Sequence, residues 1–458
     1  MSRFAAFALT LIVCAATSAQ VPYVVKDING LASPGHSRPL FLDTVNGVAL
    51  FRASDAEHGI EVWRTDGTAA GTTLAHDLLS GAASGSSITR WSLGVVNGRM
   101  IHYAQDAQGR GLFASDAATS EKIYGDPIVA PQRPAIFFRG FMYFVEDASP
   151  SADAFPLNLW RTDATPHGTG RAPFVPSGFE LASYPIVLGD FMYVSLLHPE
   201  TLEGGTYRTD GTTAGTTRIH DWILGSQARV VGSHIVFPHL DRLEQTTATY
   251  SLRATNGSGE PVKIGGDYSA RPEVLLVDGE RLYLAVDDGV SGRELWVTDG
   301  TAAGTRLLTD FYAGAASSEP AVLAAVGSRL YFVARDASGD WLCYAEAAGS
   351  GTTTTTTTTK VRTITRSGGV GGFALNGKLV FMWAAPGLGR EWWTSDGTAE
   401  GTKLLFDVHA GAGNGIDEYT FAILGDRFVF SGSSAETGVE PWVSDGTTEG
   451  TRLLRNIR

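Results

Sequence analysis

The chain has 458 residues, of which 43% are hydrophobic and 18% are charged, and its formal net charge is −13. The apolar fraction is sufficient for a large core, whereas the negative charge, with no basic run to offset it, argues against nucleic acid and anionic lipid as partners. Cys14 and Cys343 are the two cysteines, so removal of a leader that contains Cys14 would exclude an internal disulfide.

Residues 1–19 have the features of a secretory signal peptide. Arg3 precedes an apolar stretch that ends in small residues at Ala19, and this order is typical of a cleaved leader. The stretch is also too short for a membrane-spanning helix. We therefore predict a signal peptide at 1–19, a single domain at 20–458, and a location outside the cell, at the cell surface or in the periplasm.

The rest of the chain repeats one motif, which reads ELWVTDGTAAGT in its fullest copy at 294–305. The steps between copies are about 43 to 50 residues. A period of this length, made of strands and turns, indicates a propeller or a solenoid. The position of the motif's aromatic anchor recurs at Trp63, Phe113, Trp160, Tyr207, Arg253, Trp296, Cys343, Trp393 and Trp442.

Each unit contains four short strands. The unit at 275–310 shows them as LLVDG, RLYLAVDDG, GRELWVTDGT and TRLLTD. Their alternation of apolar and polar residues is typical of strands with one buried face, and pairs such as Asn97-Gly98 supply tight hairpin turns. We predict an all-β propeller of nine four-stranded units. The alternative is eight blades plus one irregular unit, because the second, fifth and seventh copies are eroded.

The motif has a mechanical interpretation. We expect its Trp or Tyr to pack between neighbouring sheets, and its Asp, three residues later, to accept backbone hydrogen bonds in a turn whose glycines adopt conformations closed to other residues. The structural positions predicted in this way are Trp63, Asp66, Trp160, Asp163, Tyr207, Asp210, Trp296, Asp299, Trp393, Asp396, Trp442 and Asp445.

The repeated acids also permit a metal hypothesis. Glutamates lie two residues before four of the anchors, at Glu61, Glu294, Glu391 and Glu440. Calcium takes about six to eight oxygen ligands, and each turn offers one Asp flanked by Thr and Gly. We therefore favour turn capping and predict no cofactor, with calcium as the alternative.

Two segments depart from a simple count of nine. Val24 to Ile28 matches the strand that closes a unit, and the chain ends on another copy at 451–457. In a closed ring, we expect one terminal strand to complete the sheet at the other terminus. Thr352 to Thr359 is expected to lengthen the exposed turn between the last two strands of the seventh unit, or alternatively to be an O-glycosylated tract.

The motif resembles that of the bacterial ELWxxDGT-repeat proteins, most fully at Glu294 to Thr305 and at Glu391 to Thr402. The resemblance covers essentially the whole chain after the leader. It implies an exported β-propeller, and it implies no defined reaction or ligand.

No nucleophile elbow, phosphate-binding glycine loop or metalloprotease spacing rises above chance in the sequence. Loops ahead of the anchor strand, such as 55–58 and 287–289, are expected on one face, where a ligand would bind. We predict a monomeric binding or scaffold module for a protein or glycan ligand, with no membrane span. The alternatives are a carbohydrate-active or other hydrolytic enzyme that uses loop acids, and a calcium-stabilised adhesive module.

Overall fold

The computed structural model describes residues 36–86, 92–125, 131–147, 157–225, 227–244, 247–348, 355–366, 371–416 and 420–457. Within these ranges the chain forms 37 β-strands and no helix. The predicted leader at 1–19 and the strand candidate at 24–28 lie outside the described residues.

The strands form nine antiparallel sheets, one for each repeat unit, which we call blades 1 to 9 in chain order. Blades 1 to 3 contain β1 (Leu40–Val45), β2 (Val48–Asp55), β3 (Gly59–Thr65), β4 (Thr73–His76), β5 (Ser92–Val96), β6 (Arg99–Asp106), β7 (Gly109–Ser115), β8 (Ser120–Gly125), β9 (Pro131–Phe138), β10 (Phe141–Asp147), β11 (Leu157–Thr162) and β12 (Gly170–Arg171). Blades 4 to 6 contain β13 (Glu180–Leu181), β14 (Ile186–Leu188), β15 (Phe191–Leu197), β16 (Gly204–Thr209), β17 (Thr217–His220), β18 (Arg229–Val231), β19 (His234–Glu244), β20 (Thr247–Thr255), β21 (Val262–Lys263), β22 (Glu273–Asp278), β23 (Arg281–Asp287), β24 (Arg293–Thr298) and β25 (Arg306–Thr309). Blades 7 to 9 contain β26 (Ala321–Val326), β27 (Arg329–Asp336), β28 (Gly339–Ala348), β29 (Thr355–Thr363), β30 (Gly372–Leu375), β31 (Lys378–Ala385), β32 (Gly389–Ser395), β33 (Lys403–Leu404), β34 (Phe421–Leu424), β35 (Arg427–Ser434), β36 (Gly438–Ser444) and β37 (Arg452–Leu453).

The blades form a closed ring. The first strands of neighbouring blades lie against one another, as β1 does with β5 and β5 with β9, and β1 also contacts β34 of blade 9. Blades 8 and 9 are joined by Phe373 and Phe421, whose rings stack with centroids 4.3 Å apart. The first strands are therefore innermost and the fourth strands outermost. The prediction of nine blades is confirmed, and the alternative of eight blades plus an irregular unit is wrong.

Blade 4 shows how an irregular unit still forms a blade. Its first strand is broken into β13 and β14, and both pieces pair with β15. The eroded copies also keep their register, since Arg253 pairs with Phe237 and Cys343 pairs with Phe332 as Trp63 pairs with Phe51. The hairpin register therefore survives loss of the aromatic anchor.

The turns between first and second strands use the conformations that Asn-Gly pairs permit. Asn97 and Gly98 have φ values of 49° and 74°, which suit a two-residue hairpin loop. The Asn97 side chain also donates a hydrogen bond of 2.9 Å to the carbonyl of Asp163 in the next blade. One turn residue therefore shapes its own hairpin and contacts the neighbouring blade.

The hydrophobic core lies between the blades. Trp160 of blade 3 packs with Leu112 of blade 2, and Trp63 of blade 1 packs with Val429 and Val443 of blade 9. Both anchors thus pack on the preceding blade, and Trp63 does so across the point where the ring closes. The corresponding contacts are made by Tyr207 on blade 3, Trp296 on blade 5, Trp393 on blade 7 and Trp442 on blade 8.

Two expectations are corrected. All four strands of blade 9 come from 421–453, so the described residues close the ring without sharing a strand between termini. In blade 7, Thr355 to Thr359 lie on β29, paired with β28 from Ala348 to Tyr344, and not in a turn. Threonine is β-branched and favours the extended conformation, which explains this placement. Residues 352–354 lie outside the described residues.

Candidate functional site

The motif's aspartates cap the turns between third and fourth strands. In blade 1, Asp66 Oδ1 accepts hydrogen bonds from the Thr68 N–H (2.9 Å) and hydroxyl (2.7 Å), and the same hydroxyl accepts one from the Gly71 N–H (3.0 Å). The hydroxyls of Thr65 and Thr72 close the turn at 2.8 Å. The same carboxylate contacts recur at Asp163, Asp210, Asp299, Asp396 and Asp445.

The second glycine of the motif is required by this carboxylate. A Cβ atom at Gly71 would lie 2.1 Å from Asp66 Oδ1, which is closer than atoms can approach. Hydrogen bonds from Thr68 lower the pKa of Asp66 from its ordinary value, so the turn favours the charged form. Across the described ranges, no three His, Cys, Asp or Glu side chains gather as a metal site would need. The calcium alternative stays a prediction of the sequence.

The motif's glutamates lie in the interior of the protein, unlike its aspartates. The sequence analysis missed this position. Glu61, Glu294, Glu391 and Glu440 are all fully buried. Glu294 accepts hydrogen bonds from the N–H groups of Phe311 (3.0 Å) and Ser318 (3.1 Å) and from the Ser318 hydroxyl (2.7 Å). These donors lie at the two ends of the crossover that leads from blade 6 to blade 7. The buried carboxylate therefore fixes the path between blades.

Two other internal crossovers are held in the same way. Glu61 accepts hydrogen bonds from the N–H groups of Leu78 (3.1 Å) and Gly85 (2.6 Å) between blades 1 and 2. Glu391 accepts one from His409 (3.4 Å) between blades 8 and 9, while its Oε2 has no hydrogen-bond partner among the described residues. Glu391 is therefore the least satisfied of these carboxylates.

Burial raises the pKa of these carboxyl groups because a charge is costly away from water. The pKa is about 7 for Glu61 and about 8 for Glu391, and that of Glu294 is also raised. Hydrogen bonds from backbone N–H groups act in the opposite direction at all three sites. Burial is the larger of the two influences at each of these glutamates.

Glu440 closes the ring with the same contacts. It accepts hydrogen bonds from the N–H of Ile457 (3.0 Å), the N–H of Ser37 (3.2 Å) and the Ser37 hydroxyl (2.6 Å). Ser37 and Glu440 are 403 residues apart in the chain. The carboxylate thus holds both ends of the described chain where other blades have a continuous crossover.

Blade 2 contains a buried Ser–His pair. His102 Nε2 lies 2.7 Å from the Ser115 hydroxyl, which also lies 2.7 Å from the Ser120 hydroxyl. Such a distance would suit a nucleophile and its base, but both His102 and Ser115 are buried. Burial lowers the pKa of His102 to about 3. His102 occupies the cross-strand position of Phe51 in blade 1, so its location is that of a core side chain.

One buried acid has no repeat counterpart. Glu146 accepts a hydrogen bond of 2.7 Å from Trp160 Nε1 and is 6% exposed. The corresponding position in blade 1 is Ala53, as the strand register shows. Only the comparison of aligned units could have identified Glu146, because its neighbourhood carries no motif of its own.

Exposed apolar residues lie on the second strands, or on the loops that follow them, of three consecutive blades. Antiparallel strands place the loops between second and third strands on the same face as the crossovers, as the sequence analysis expected. On this face, Leu202 of blade 4 and Val290 of blade 6 are each 73% exposed, and Leu243 of blade 5 is 65% exposed. Leu240, also of blade 5, is 44% exposed. We call these four residues the loop patch.

The loops that carry the patch are held in defined conformations. Leu202 has a φ of 58°, which is strained for a residue with a large side chain, and its N–H donates to the His198 carbonyl at 2.8 Å. The Val290 N–H donates to Asp288 Oδ1 at 2.9 Å. In blade 5, β19 and β20 extend the patch as a paired hairpin up to Glu244. The apolar side chains are therefore presented on ordered backbone.

Comparisons with known proteins show a distant similarity to several solved structures. No family model matches the chain, and no curated protein is similar to it. A puromycin hydrolase structure is 12% identical with a TM-score of 0.37, over 90% of this chain and 58% of that one. A prolyl endopeptidase structure is 13% identical with a TM-score of 0.42, over 72% of this chain and 50% of that one.

A third similar structure is the β-propeller domain of the Trilobed protease from Pyrococcus furiosus, whose report describes an open velcro topology. It is 12% identical with a TM-score of 0.36, over 80% of this chain and 98% of that one. The chain thus spans little more than half of the two hydrolase structures, and we carry no activity over from them. The part of the chain that the structure describes contains no helix with the length and apolarity of a membrane span.

Proposed function

We propose that this protein is an exported binding module that recognises a protein partner through the loop patch. The observation that carries this proposal is the exposure of Leu and Val side chains at the same face of three consecutive blades. Exposed apolar groups that cluster on an otherwise polar surface are typical of protein–protein contact sites. The ring supports the patch because the loops are fixed by rigid sheets.

A protein is favoured over a glycan by the chemistry of the patch. Its most exposed members are aliphatic, namely Leu202, Leu243 and Val290, and aliphatic side chains gain binding energy mainly through loss of apolar contact with water. They offer no hydrogen bonds to sugar hydroxyls. The negative net charge of −13 further favours a partner with a neutral or basic contact surface.

The test compares the wild-type protein with a triple variant, Leu202→Asp, Leu243→Asp and Val290→Asp. The matched control is Val262→Asp, because Val262 is also 65% exposed but lies on the outermost strand of blade 5. Each protein is used to capture partners from the extracellular fraction of its host, with chemical cross-linking and mass spectrometry of the linked residues. A partner cross-linked beside the patch should be recovered with the wild type and the control and lost with the triple variant.

Recovery of the same partner with the triple variant would contradict the proposal. Binding to a glycan array that survives in the triple variant would instead support recognition of a glycan at another place. Equal thermal unfolding midpoints of the wild type, the triple variant and the Val262→Asp control would establish that a loss of binding is not a loss of fold.

A further inference from the structure

The outermost strand of blade 7 differs from the other outer strands in length. β29 spans nine residues, whereas the other fourth strands range from two residues in β12 to six in β8. It is the terminal strand of its sheet among the described residues. A long terminal strand presents a row of backbone N–H and C=O groups that can pair with another chain.

The hairpin of blade 7 also projects beyond the usual turn. In blade 1 the third strand ends at Thr65, and the equivalent residue of blade 7 is Ala345, since Cys343 takes the place of Trp63. Pairing continues past this point from Ala345 with Thr358 to Ala348 with Thr355. A two-stranded ribbon is only marginally stable alone, so an added strand would stabilise this extension.

The projecting edge lacks the charges that commonly protect outer strands. Thr356 to Thr359 carry no charge, and the nearest cation, Lys360, is bonded to Asp336 and lies over the Trp341 ring. Charged side chains on an edge strand oppose pairing with another chain. An exposed Lys or Arg is present on the outer strands of five other blades, at Arg171, Arg218, Lys263, Lys403 and Arg452, and β29 has one at Lys360, but the projecting part of β29 has none.

We propose that the outer edge of β29 pairs in antiparallel fashion with the same edge of a second copy of this chain. A two-fold axis places identical segments of the two copies opposite each other. Because the run contains a single uncharged residue type, like residues face each other in any strand register. Cross-strand Thr pairs are themselves favourable. The sequence analysis expects a monomer, whereas this edge favours a dimer joined through blade 7. The proposal is independent of the loop patch, which lies on the opposite face from the projecting hairpin.

The test places a charge at Thr357, which is exposed on this edge. Sedimentation equilibrium of the purified protein over a concentration series should give a mass that approaches twice that of one chain. Both Thr357→Lys and Thr357→Glu should weaken the association by about tenfold or more, because each puts like charges opposite each other. The control Thr217→Lys, at the exposed start of the short outer strand of blade 4, should associate like the wild type.

Three outcomes would overturn the proposal. The wild type could keep the mass of one chain at every concentration. The two Thr357 variants could associate as tightly as the wild type. Only one of the two variants, Thr357→Lys or Thr357→Glu, could lose association while the other keeps it. That result would mean that β29 faces a charged surface and not its own copy. Equal thermal midpoints of the variants and the control would show that the fold is retained.

Discussion

The junction between blades 9 and 1 and the junction between blades 6 and 7 use the same buried carboxylate under different connectivity. Between blades 6 and 7, Glu294 binds three N–H groups of one continuous crossover. Between blades 9 and 1, Glu440 binds Ser37 and Ile457, which lie at opposite ends of the described chain. These hydrogen bonds therefore do not depend on chain continuity. They can close a ring as well as stabilise it.

The closing junction has further contacts that replace the missing connection. The Arg38 N–H donates to the Val439 carbonyl at 3.1 Å, and the Val439 N–H donates to His36 Nδ1 at 3.0 Å. The Arg455 guanidinium lies over the Trp63 ring, 6.0 Å from its centroid. Because none of these contacts is covalent, the closing junction should respond more strongly to mutation than an internal one.

The largest expected effect comes from removing the anchor at each junction. Trp63→Ala should lower the free energy of unfolding by about 3–5 kcal/mol, because Trp63 is 5% exposed and packs on blade 9. Trp296→Ala, at the internal junction of blades 5 and 6, should cost less because Trp296 is only partly buried. Chemical denaturation followed by circular dichroism measures both. If Trp63→Ala lost less unfolding free energy than Trp296→Ala, the closing junction would not be the more sensitive of the two.

The next effect is a dependence of stability on pH. The folded pKa values of Glu61 and Glu391 are about 7 and about 8, above the ordinary value of 4.5. Folding therefore favours the protonated forms, and their stabilising contribution is complete below pH 4.5 and is lost as pH rises through 7 to 8. We expect the free energy of unfolding to fall by several kcal/mol, as an order of magnitude, between pH 4.5 and pH 8.

Glu391→Gln isolates one of these groups. The amide cannot ionise, so the decline in stability between pH 4.5 and pH 8 should become shallower in this variant. Urea unfolding at several pH values gives the slope directly. A variant whose slope equals that of the wild type would show that Glu391 does not titrate in this window.

A smaller effect tests the Asp-capped turns between third and fourth strands, which six of the blades share. Gly71→Ala should destabilise the protein by about 1–3 kcal/mol, because the new methyl group would overlap the Asp66 carboxylate. Gly170→Ala is the matched control, since a Cβ there meets no atom within 4 Å, and it should be nearly neutral. Thermal midpoints compare the two variants. Equal midpoints would mean that the turn can relax around an added methyl group.

The fold could be predicted from the sequence because its determinants are local. The strand register of each blade depends on hairpin turns and on alternation within a single repeat, and even eroded units such as that of Cys343 keep it. The break in blade 4 between Leu181 and Ile186 was not predictable, because the two pieces find the same partner strand only in the folded blade.

The roles of the glutamates and the loop patch could not be predicted. Glu61 binds N–H groups 17 and 24 residues away, and no spacing within the motif indicates that distance. The expectation of a shared terminal strand failed for a related reason, since Glu440 and Ser37 are joined only in the closed ring. The exposure of Leu202 depends on its loop conformation and not on its residue type, so it too required the structure.

The most direct test of ring closure by a buried carboxylate is amide hydrogen exchange in Glu440→Ala, with Glu294→Ala as the control. Glu440→Ala should speed exchange in both 36–45 and 452–457, because one side chain holds both segments. Glu294→Ala should speed exchange around 311–318 and leave both terminal segments unchanged. If 36–45 stayed as protected in Glu440→Ala as in the wild type, the carboxylate would not be what closes the ring.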